Sequence, residues 1–94
     1  MSWGQTTVKL LIVDDNPDAA SVLKEAAELA GVETIEVVSS GEDAIGRAIM
    51  VEFDVITLDI RMQGISGLDA LSVIRGLRAR NSGHYLRLYA RHPR

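Results

Sequence analysis

Apolar runs and amphipathic segments alternate along the chain between residues 8 and 80. The run Val8–Val13 is nearly all apolar and rich in β-branched residues, which is typical of a strand covered on both faces. Alternating polar and apolar residues predict a second strand at 33–38, and an apolar run ending in Asp59 predicts a third at 53–59. Beyond residue 80 the pattern weakens, and we predict only a short fourth strand at 85–89, where Arg87 interrupts the apolar residues.

Three segments with helical spacing of apolar residues each follow a helix-starting signal. Asn16 supplies a capping side chain and Pro17 a first helical residue, while Gly31 suits the end of the same helix. Segments 40–43 and 66–69 have capping-box spacing and start two further helices, the second after a predicted loop at 60–65. The apolar stripe predicted for the first helix consists of Ala19, Val22, Leu23, Ala26, Ala27 and Ala30. Strands alternating with helices in this way predict right-handed crossovers and a parallel sheet.

Length and composition are those of a single small domain. The 94 residues are 47% hydrophobic and include only 2 prolines, so one ordered core is expected. The chain has no cysteine, which excludes a disulfide scaffold and thiolate metal sites. No apolar run approaches the roughly 20 residues of a membrane helix, and the N-terminus lacks the pattern of a secretory signal. We therefore expect a cytoplasmic domain without a membrane segment.

Charge is distributed unevenly along the chain. All 13 acidic residues precede residue 75, whereas residues 75–94 carry six arginines and no acid. The change in pattern separates a regular part, residues 1–80, from a divergent basic tail, residues 81–94. Arginines interleaved with Tyr85 and Tyr89 in this tail are compatible with nucleic-acid binding through phosphate contacts and stacking. An unstructured arm accounts for them more simply, so we do not expect nucleic acid as a partner.

Two of the predicted strands end in carboxylates. The first runs into Asp14 and Asp15, and the third ends at Asp59. In an open parallel sheet, ligands bind beyond the carboxyl ends of the strands, so these three acids converge on one rim if the two strands are neighbours. Three carboxylates at close range repel one another unless they share a cation, and an oxygen-only ligand set favours Mg²⁺. A central carboxylate can also act as the nucleophile in phosphoryl transfer.

Other phosphate-binding and catalytic patterns are missing from the sequence. Neither a P-loop nor a dinucleotide-binding glycine motif occurs. His84 and His92 lack metal-ligand spacing, and Ser39 and Ser40 have no His–Asp partner set for hydrolysis. For one of the three acids alone, a loop or capping role would be the simpler interpretation. The convergence of all three acids on one rim favours a site that binds a metal ion and a phosphoryl group.

These motifs resemble the receiver domain of two-component response regulators. The similarity rests on the acid pair within Val13–Asn16, on residues 54–62 around Asp59, and on the segment 67–71. It implies a flavodoxin-like (CheY-like) doubly wound parallel α/β sheet with strand order 2-1-3-(4), formed by a receiver-like domain at residues 1–80. The fold is expected to be incomplete on its C-terminal side.

The resemblance also implies roles for individual residues. Asp59 corresponds to the phosphoacceptor, which takes a phosphoryl group from a sensor histidine kinase or a phosphotransfer protein. Asp14, Asp15 and Asp59, together with the main-chain carbonyl of Arg61, correspond to the ligands of Mg²⁺. Gln63 replaces the proline usual in the following loop. Such a domain is a phosphoacceptor and not an enzyme in its own right.

Two departures from the family pattern lie towards the C-terminus. Tyr89 stands 30 residues after Asp59, where the family has a small Ser or Thr that senses the phosphoryl group. The lysine that pairs with the phosphate on strand five has no counterpart, because the chain stops at Arg94. We therefore expect slow or abolished phosphorylation and no intact switch residue. The uncovered sheet edge predicts a homo-oligomer in which residues 86–89 of a partner copy complete the sheet.

Two further functions remain open on the sequence. A degenerate receiver would serve as a phosphorylation-independent interaction or dimerisation module. This fits a site in which the residues that accept the phosphoryl group are present, whereas the Ser or Thr and the lysine that respond to it are missing. A Mg²⁺-dependent phosphatase with an aspartate nucleophile has the right residue types. Such enzymes usually carry a second acid two residues after the nucleophile, and this chain has Arg61 there.

Overall fold

The computed structural model describes residues 8–59, 67–80 and 87–91. Strands and helices alternate along them as β1 (Lys9–Val13), α1 (Pro17–Leu29), β2 (Thr34–Val38), α2 (Gly41–Met50), β3 (Val55–Asp59), α3 (Gly67–Arg80) and β4 (Arg87–Arg91). Strand β4 begins two residues later than the strand predicted at 85–89. The loop predicted at 60–65 lies outside the described residues.

The four strands form one parallel sheet in the order β2-β1-β3-β4. Strand β1 is central, with Val13 level with Val38 of β2 on one side and with Leu58 of β3 on the other. The doubly wound parallel fold and its strand order are therefore confirmed. Because β1 and β3 are neighbours, the residues that follow their last paired positions reach the same edge of the sheet.

The sheet is covered on both faces, and β1 contributes to both cores. Its Leu11 and Val13 pack with β3 and with residues of α2 and α3, including Ala44 and Ile74. Its Leu10 and Ile12 face the opposite side and pack with α1. A strand with both faces buried needs apolar residues at every position, which explains the continuous apolar run in the sequence.

Helix α1 begins and ends as the sequence predicts. The Oδ1 atom of Asn16 accepts hydrogen bonds from the main-chain N–H groups of Asp18 at 2.9 Å and Ala19 at 3.2 Å. Gly31 follows the helix with φ of +92°, in the left-handed region that glycine adopts without strain. The predicted start and end of α1 are therefore confirmed.

The buried face of α1 agrees with the predicted stripe only in part. Leu23 and Ala27 pack on the core as predicted, beside the buried Ala20, whereas Val22 is 67% exposed and Ala26 is exposed. Helix α1 contacts β1 and β2, and the side chains on its other faces remain in solvent. Within the described parts of the chain, no helix combines the length and the apolar character that a membrane crossing requires.

Candidate functional site

Three carboxylates meet where β1 and β3 end side by side. Val13 and Leu58 are register partners, so Asp14 and Asp59 follow them at the same level on neighbouring strands. One carboxylate oxygen from each of Asp14, Asp15 and Asp59 lies within 4.8 Å of the others. The structure thus brings together the three acids that the sequence analysis singled out, and we refer to them below as the acid cluster.

The acid cluster spans the boundary between the protein interior and solvent. Asp14 and Asp59 are 2% and 4% exposed, whereas Asp15 is an exposed residue. Burying a carboxylate is costly unless hydrogen bonds or a cation compensate for the lost water. Two buried acids side by side, with a third at the surface, are therefore an arrangement that a bound cation would stabilise.

Backbone hydrogen bonds hold Asp14 in place from two sides. Its Oδ1 atom accepts a hydrogen bond of 2.9 Å from the main-chain N–H of Asn16, and its own N–H donates one of 3.0 Å to the carbonyl of Val38. The end of β1, the start of α1 and the end of β2 are tied together at this one residue. Because Asn16 caps the helix, Asp14 is not needed as the N-cap.

The donor set of the acid cluster fits Mg²⁺. Oxygen atoms that share one Mg²⁺ lie at most about 4.2 Å apart, since each bond is about 2.1 Å long. A cluster within 4.8 Å is close to that limit, and the carboxylate pairs that Mg²⁺ does not span directly can be bridged by its bound waters. Among the residues that the structure describes, this is the one group of three or more acidic or histidine side chains arranged in this way.

A cleft of about 290 Å³ opens beside the acid cluster, between the N-terminal ends of α1 and α2. Its lining residues are Asp14, Asp15, Pro17, Ala20, Val37, Val38, Ser39 and Asp43. Asp43 was identified in the sequence only as a capping-box residue, and its main-chain N–H does bond the Oγ atom of Ser40 at 3.0 Å. Its place in the cleft wall depends on how α2 docks on the sheet, which residue spacing does not reveal.

The remaining predicted site residues lie outside or beside this geometry. Arg61 falls outside the described residues. In the register of β3 and β4, Tyr89 is level with Thr57, and Arg91 is level with Asp59. Tyr89, which stands 30 residues after Asp59, thus lies two positions before Arg91, the residue level with Asp59.

An ion pair between β2 and α2 supports one wall of the cleft. Arg47 forms a bidentate ion pair with Glu36, in which Nε donates to Oε1 at 2.7 Å and Nη2 donates to Oε2 at 2.9 Å. The side-chain hydrogen bonds from Arg47 lower the pKa of Glu36, although its partial burial opposes that shift. The same contact raises the pKa of Arg47. The charge of Arg47 is thus used to fasten α2 to the sheet.

The sequence is similar to bacterial response regulators. A family profile of the response regulator receiver domain matches residues 10–83. The chain is 42% identical over 76 residues to a nitrate/nitrite response regulator protein homolog of Haemophilus influenzae, and 38% identical over 71 residues to the nitrate/nitrite response regulator protein NarP of Escherichia coli. These alignments cover 80% and 74% of this chain but only 35% and 33% of the relatives, so the chain spans about a third of their length.

The fold is similar to solved receiver domains. The receiver domain of a histidine kinase from Arabidopsis thaliana, complexed with Mg²⁺ and BeF₃⁻, matches with a TM-score of 0.83 and 23% identity, over 90% of this chain and 65% of that one. A response regulator receiver domain (CheY-like) from Methylobacillus flagellatus matches with a TM-score of 0.81 and 26% identity, over 93% and 70% of the two chains. The flavodoxin-like fold class is confirmed by these likenesses.

Proposed function

The chain belongs to the response regulator receiver domain family, as its motifs predicted, and on that premise we propose that Asp59 accepts a phosphoryl group in a Mg²⁺-dependent reaction. The observation that carries the proposal is the acid cluster, which sets a buried carboxylate beside two others at the paired ends of β1 and β3. The donor is a phosphohistidine of a sensor histidine kinase or phosphotransfer protein. Such a partner would place this chain in the cytoplasm.

The residues of the acid cluster have different roles in this reaction. A carboxylate oxygen of Asp59 attacks the phosphorus atom, so that an acyl phosphate bond forms and the P–N bond of the phosphohistidine breaks. The imidazole leaves with the bonding electron pair and takes a proton from solvent. Asp14 and Asp15, with Asp59, would hold Mg²⁺, which when bound offsets the negative charge of the phosphoryl oxygens. In this scheme the chain receives a phosphoryl group and is not an enzyme acting on a separate substrate.

The proposal includes weak transmission of the signal from Asp59. The family has a small Ser or Thr 30 residues after the phosphoacceptor, which reports the arrival of the phosphoryl group, whereas this chain has Tyr89 there. With Tyr89 in place of that hydroxyl, the transmission of a signal from Asp59 is expected to be weak.

Intact-mass measurement after incubation with acetyl phosphate and Mg²⁺ tests the proposal. We expect a gain of about 80 Da, the mass of one added HPO₃. The gain should disappear in Asp59→Asn and when Mg²⁺ is removed by a chelator. Asp18→Asn is the matched control, because Asp18 is an exposed acid in the first turn of α1 and lies outside the acid cluster. A gain that survives in Asp59→Asn would refute the assignment of the acceptor.

The position of β4 supports a second function, a phosphorylation-independent dimerisation module. In the four-stranded sheet of the described residues, β4 is an edge strand, and edge strands pair readily with other chains. We propose a homo-oligomer in which two copies join at this edge. Sedimentation velocity at micromolar concentration should show a dimer or larger species, and a well-folded monomer would count against it. Metal binding without any phosphate uptake would favour this function over the first.

A further inference from the structure

The cleft beside the acid cluster has a mainly apolar lining. Val37 and Val38 contribute to it from the end of β2, and Pro17 and Ala20 contribute from the start of α1. Val37 is 42% exposed, although it lies within a strand of the sheet. Because covering exposed apolar surface is favourable in water, the cleft favours a ligand that has an apolar part.

The charged residues that line the cleft are all acidic. Asp15 lies just before α1 and Asp43 lies in the first turn of α2, and none of the described lining residues is basic. A helix start often attracts an anion, but here Asn16 and Ser40 already accept hydrogen bonds from N–H groups of the two first turns. The cleft therefore favours a positively charged ligand.

Together these two features select a long basic side chain. Its methylene groups can cover the apolar lining while its cationic end contacts the carboxylates. A bare metal ion makes no use of the apolar lining, and an uncharged apolar group would take water from the carboxylates without replacing it. A volume of about 290 Å³ is at the lower limit of ligand pockets, which suits one side chain better than a larger compound.

We propose that this cleft receives a lysine or arginine side chain of the protein that donates the phosphoryl group. The inference rests on the proposed function, because the phosphohistidine of the donor must reach Asp59. Asp15 belongs both to the acid cluster and to the lining of the cleft, so a protein surface that covers the cluster also lies over the cleft. The basic side chain adds affinity and orients the donor, and it takes no part in the transfer itself.

Titration of the full chain with propylguanidinium, the side chain of arginine, tests the site by ¹H–¹⁵N NMR. Mg²⁺ is present, so that a metal ion occupies the acid cluster, and the titration is repeated without it. We expect the amide signals of residues 37–43 to shift. Methylguanidinium should bind about tenfold more weakly, since each methylene that is fully buried contributes up to about fourfold in affinity. Butyrate, which has an alkyl chain and a negative charge, should not bind.

Variants at exposed positions of the cleft separate its two features. Asp43→Asn should lower the affinity for propylguanidinium about fivefold, the upper range for an exposed ion pair. Val37→Thr keeps the shape of the side chain and replaces a methyl group with a hydroxyl, and it should lower the affinity about twofold. Glu33→Gln is the matched control, because it removes an exposed acid just before β2 that does not line the cleft. It should leave the affinity unchanged.

Several outcomes would overturn the proposal. Equal affinities for propylguanidinium and methylguanidinium, or equal losses in Asp43→Asn and Glu33→Gln, would show unspecific attraction of cations. Shifts confined to residues 58 and 59 would place the probe at the acid cluster. Dissociation of an oligomer by propylguanidinium, measured by sedimentation velocity, would make a second copy of this chain the occupant. Binding of free 1,4-diaminobutane more than about 100-fold tighter than propylguanidinium would make the occupant a small amine.

Failure of the proposed function has a different signature. If acetyl phosphate and Mg²⁺ leave Asp59 unmodified while propylguanidinium binds as expected, the donor is excluded as the partner and the chemistry of the cleft stands. If Asp59 is phosphorylated and propylguanidinium does not bind, the cleft is excluded and the proposed function stands.

Discussion

Replacing Asp59 with asparagine should stabilise the metal-free protein, because it removes a negative charge from the acid cluster. The oxygen atoms of Asp14 and Asp59 lie within 4.8 Å of each other, and both residues are buried. At that separation two unit charges repel by about 3 kcal/mol at an effective dielectric constant near 20, and by about 1 kcal/mol in water. We expect Asp59→Asn to raise the free energy of unfolding by about 1–3 kcal/mol in a chelator-containing buffer. For a domain of this size that corresponds to roughly 4–24 °C in Tm.

Magnesium should reverse the order of stability. A ligand present at about 1,000 times its Kd stabilises a folded protein by about 4.1 kcal/mol, and only the unmodified cluster offers the full set of carboxylates. Thermal or urea unfolding, followed by circular dichroism with and without Mg²⁺, measures both effects. Asp18→Asn serves as the control, because its exposed acid lies outside the acid cluster and its removal should change neither curve by much. The reasoning fails if Asp59→Asn is less stable without metal, or if Mg²⁺ stabilises both proteins equally.

Three further predictions concern the scaffold that positions the site. The pKa of Glu36 is lowered from its ordinary value of 4.5, so the ion pair with Arg47 contributes fully to stability above that pH and is lost as the pH falls through the folded-state pKa. The urea midpoints of the unmodified chain and of Glu36→Gln should therefore converge on acidification. A difference that stays constant with pH would contradict this. Leu11→Ala should lower the free energy of unfolding, measured with urea, by about 2–5 kcal/mol, because Leu11 is fully buried in the core. Leu29 is 90% exposed, so Leu29→Ala should lower it by less than about 0.5 kcal/mol. Asn16→Ala should lower the free energy of unfolding by about 0.5–2 kcal/mol, because two N–H groups of α1 lose their acceptor. Asn16→Asp keeps an acceptor oxygen and should retain most of the stability. Equal losses in the two variants would exclude a capping role.

Local signals in the sequence predicted a parallel α/β sheet, and the resemblance to receiver domains supplied the strand order that brings the acid cluster together. The unbroken apolar run of β1 indicated a strand buried on both faces, and Asn16 and Gly31 marked the ends of α1 correctly. A parallel sheet sends the ends of neighbouring strands to one edge, and with β1 and β3 as neighbours, as the resemblance implied, Asp14, Asp15 and Asp59 were expected to lie together. The central geometric expectation, that Asp15 and Asp59 lie side by side, is confirmed by the structure.

Features that depend on docking or loop length could not be predicted in this way. Helix α1 is rich in alanine, so its apolar stripe is broad and does not specify which residues touch the sheet; Val22 was expected to be buried and is exposed. Asp43 reaches the cleft wall only through the placement of α2. The pairing of β4 depends on the lengths of the connections on either side of α3, so the residue level with Asp59, Arg91, could not be identified from the sequence.

A crystal structure of the full chain with Mg²⁺ and BeF₃⁻ would test the central claim most directly. The account predicts one Mg²⁺ at about 2.1 Å from carboxylate oxygens of Asp15 and Asp59, with Asp14 bound directly or through a water, and BeF₃⁻ attached to Asp59. A structure with no metal at the acid cluster, or with Asp59 free of BeF₃⁻ at saturating concentration, would contradict it.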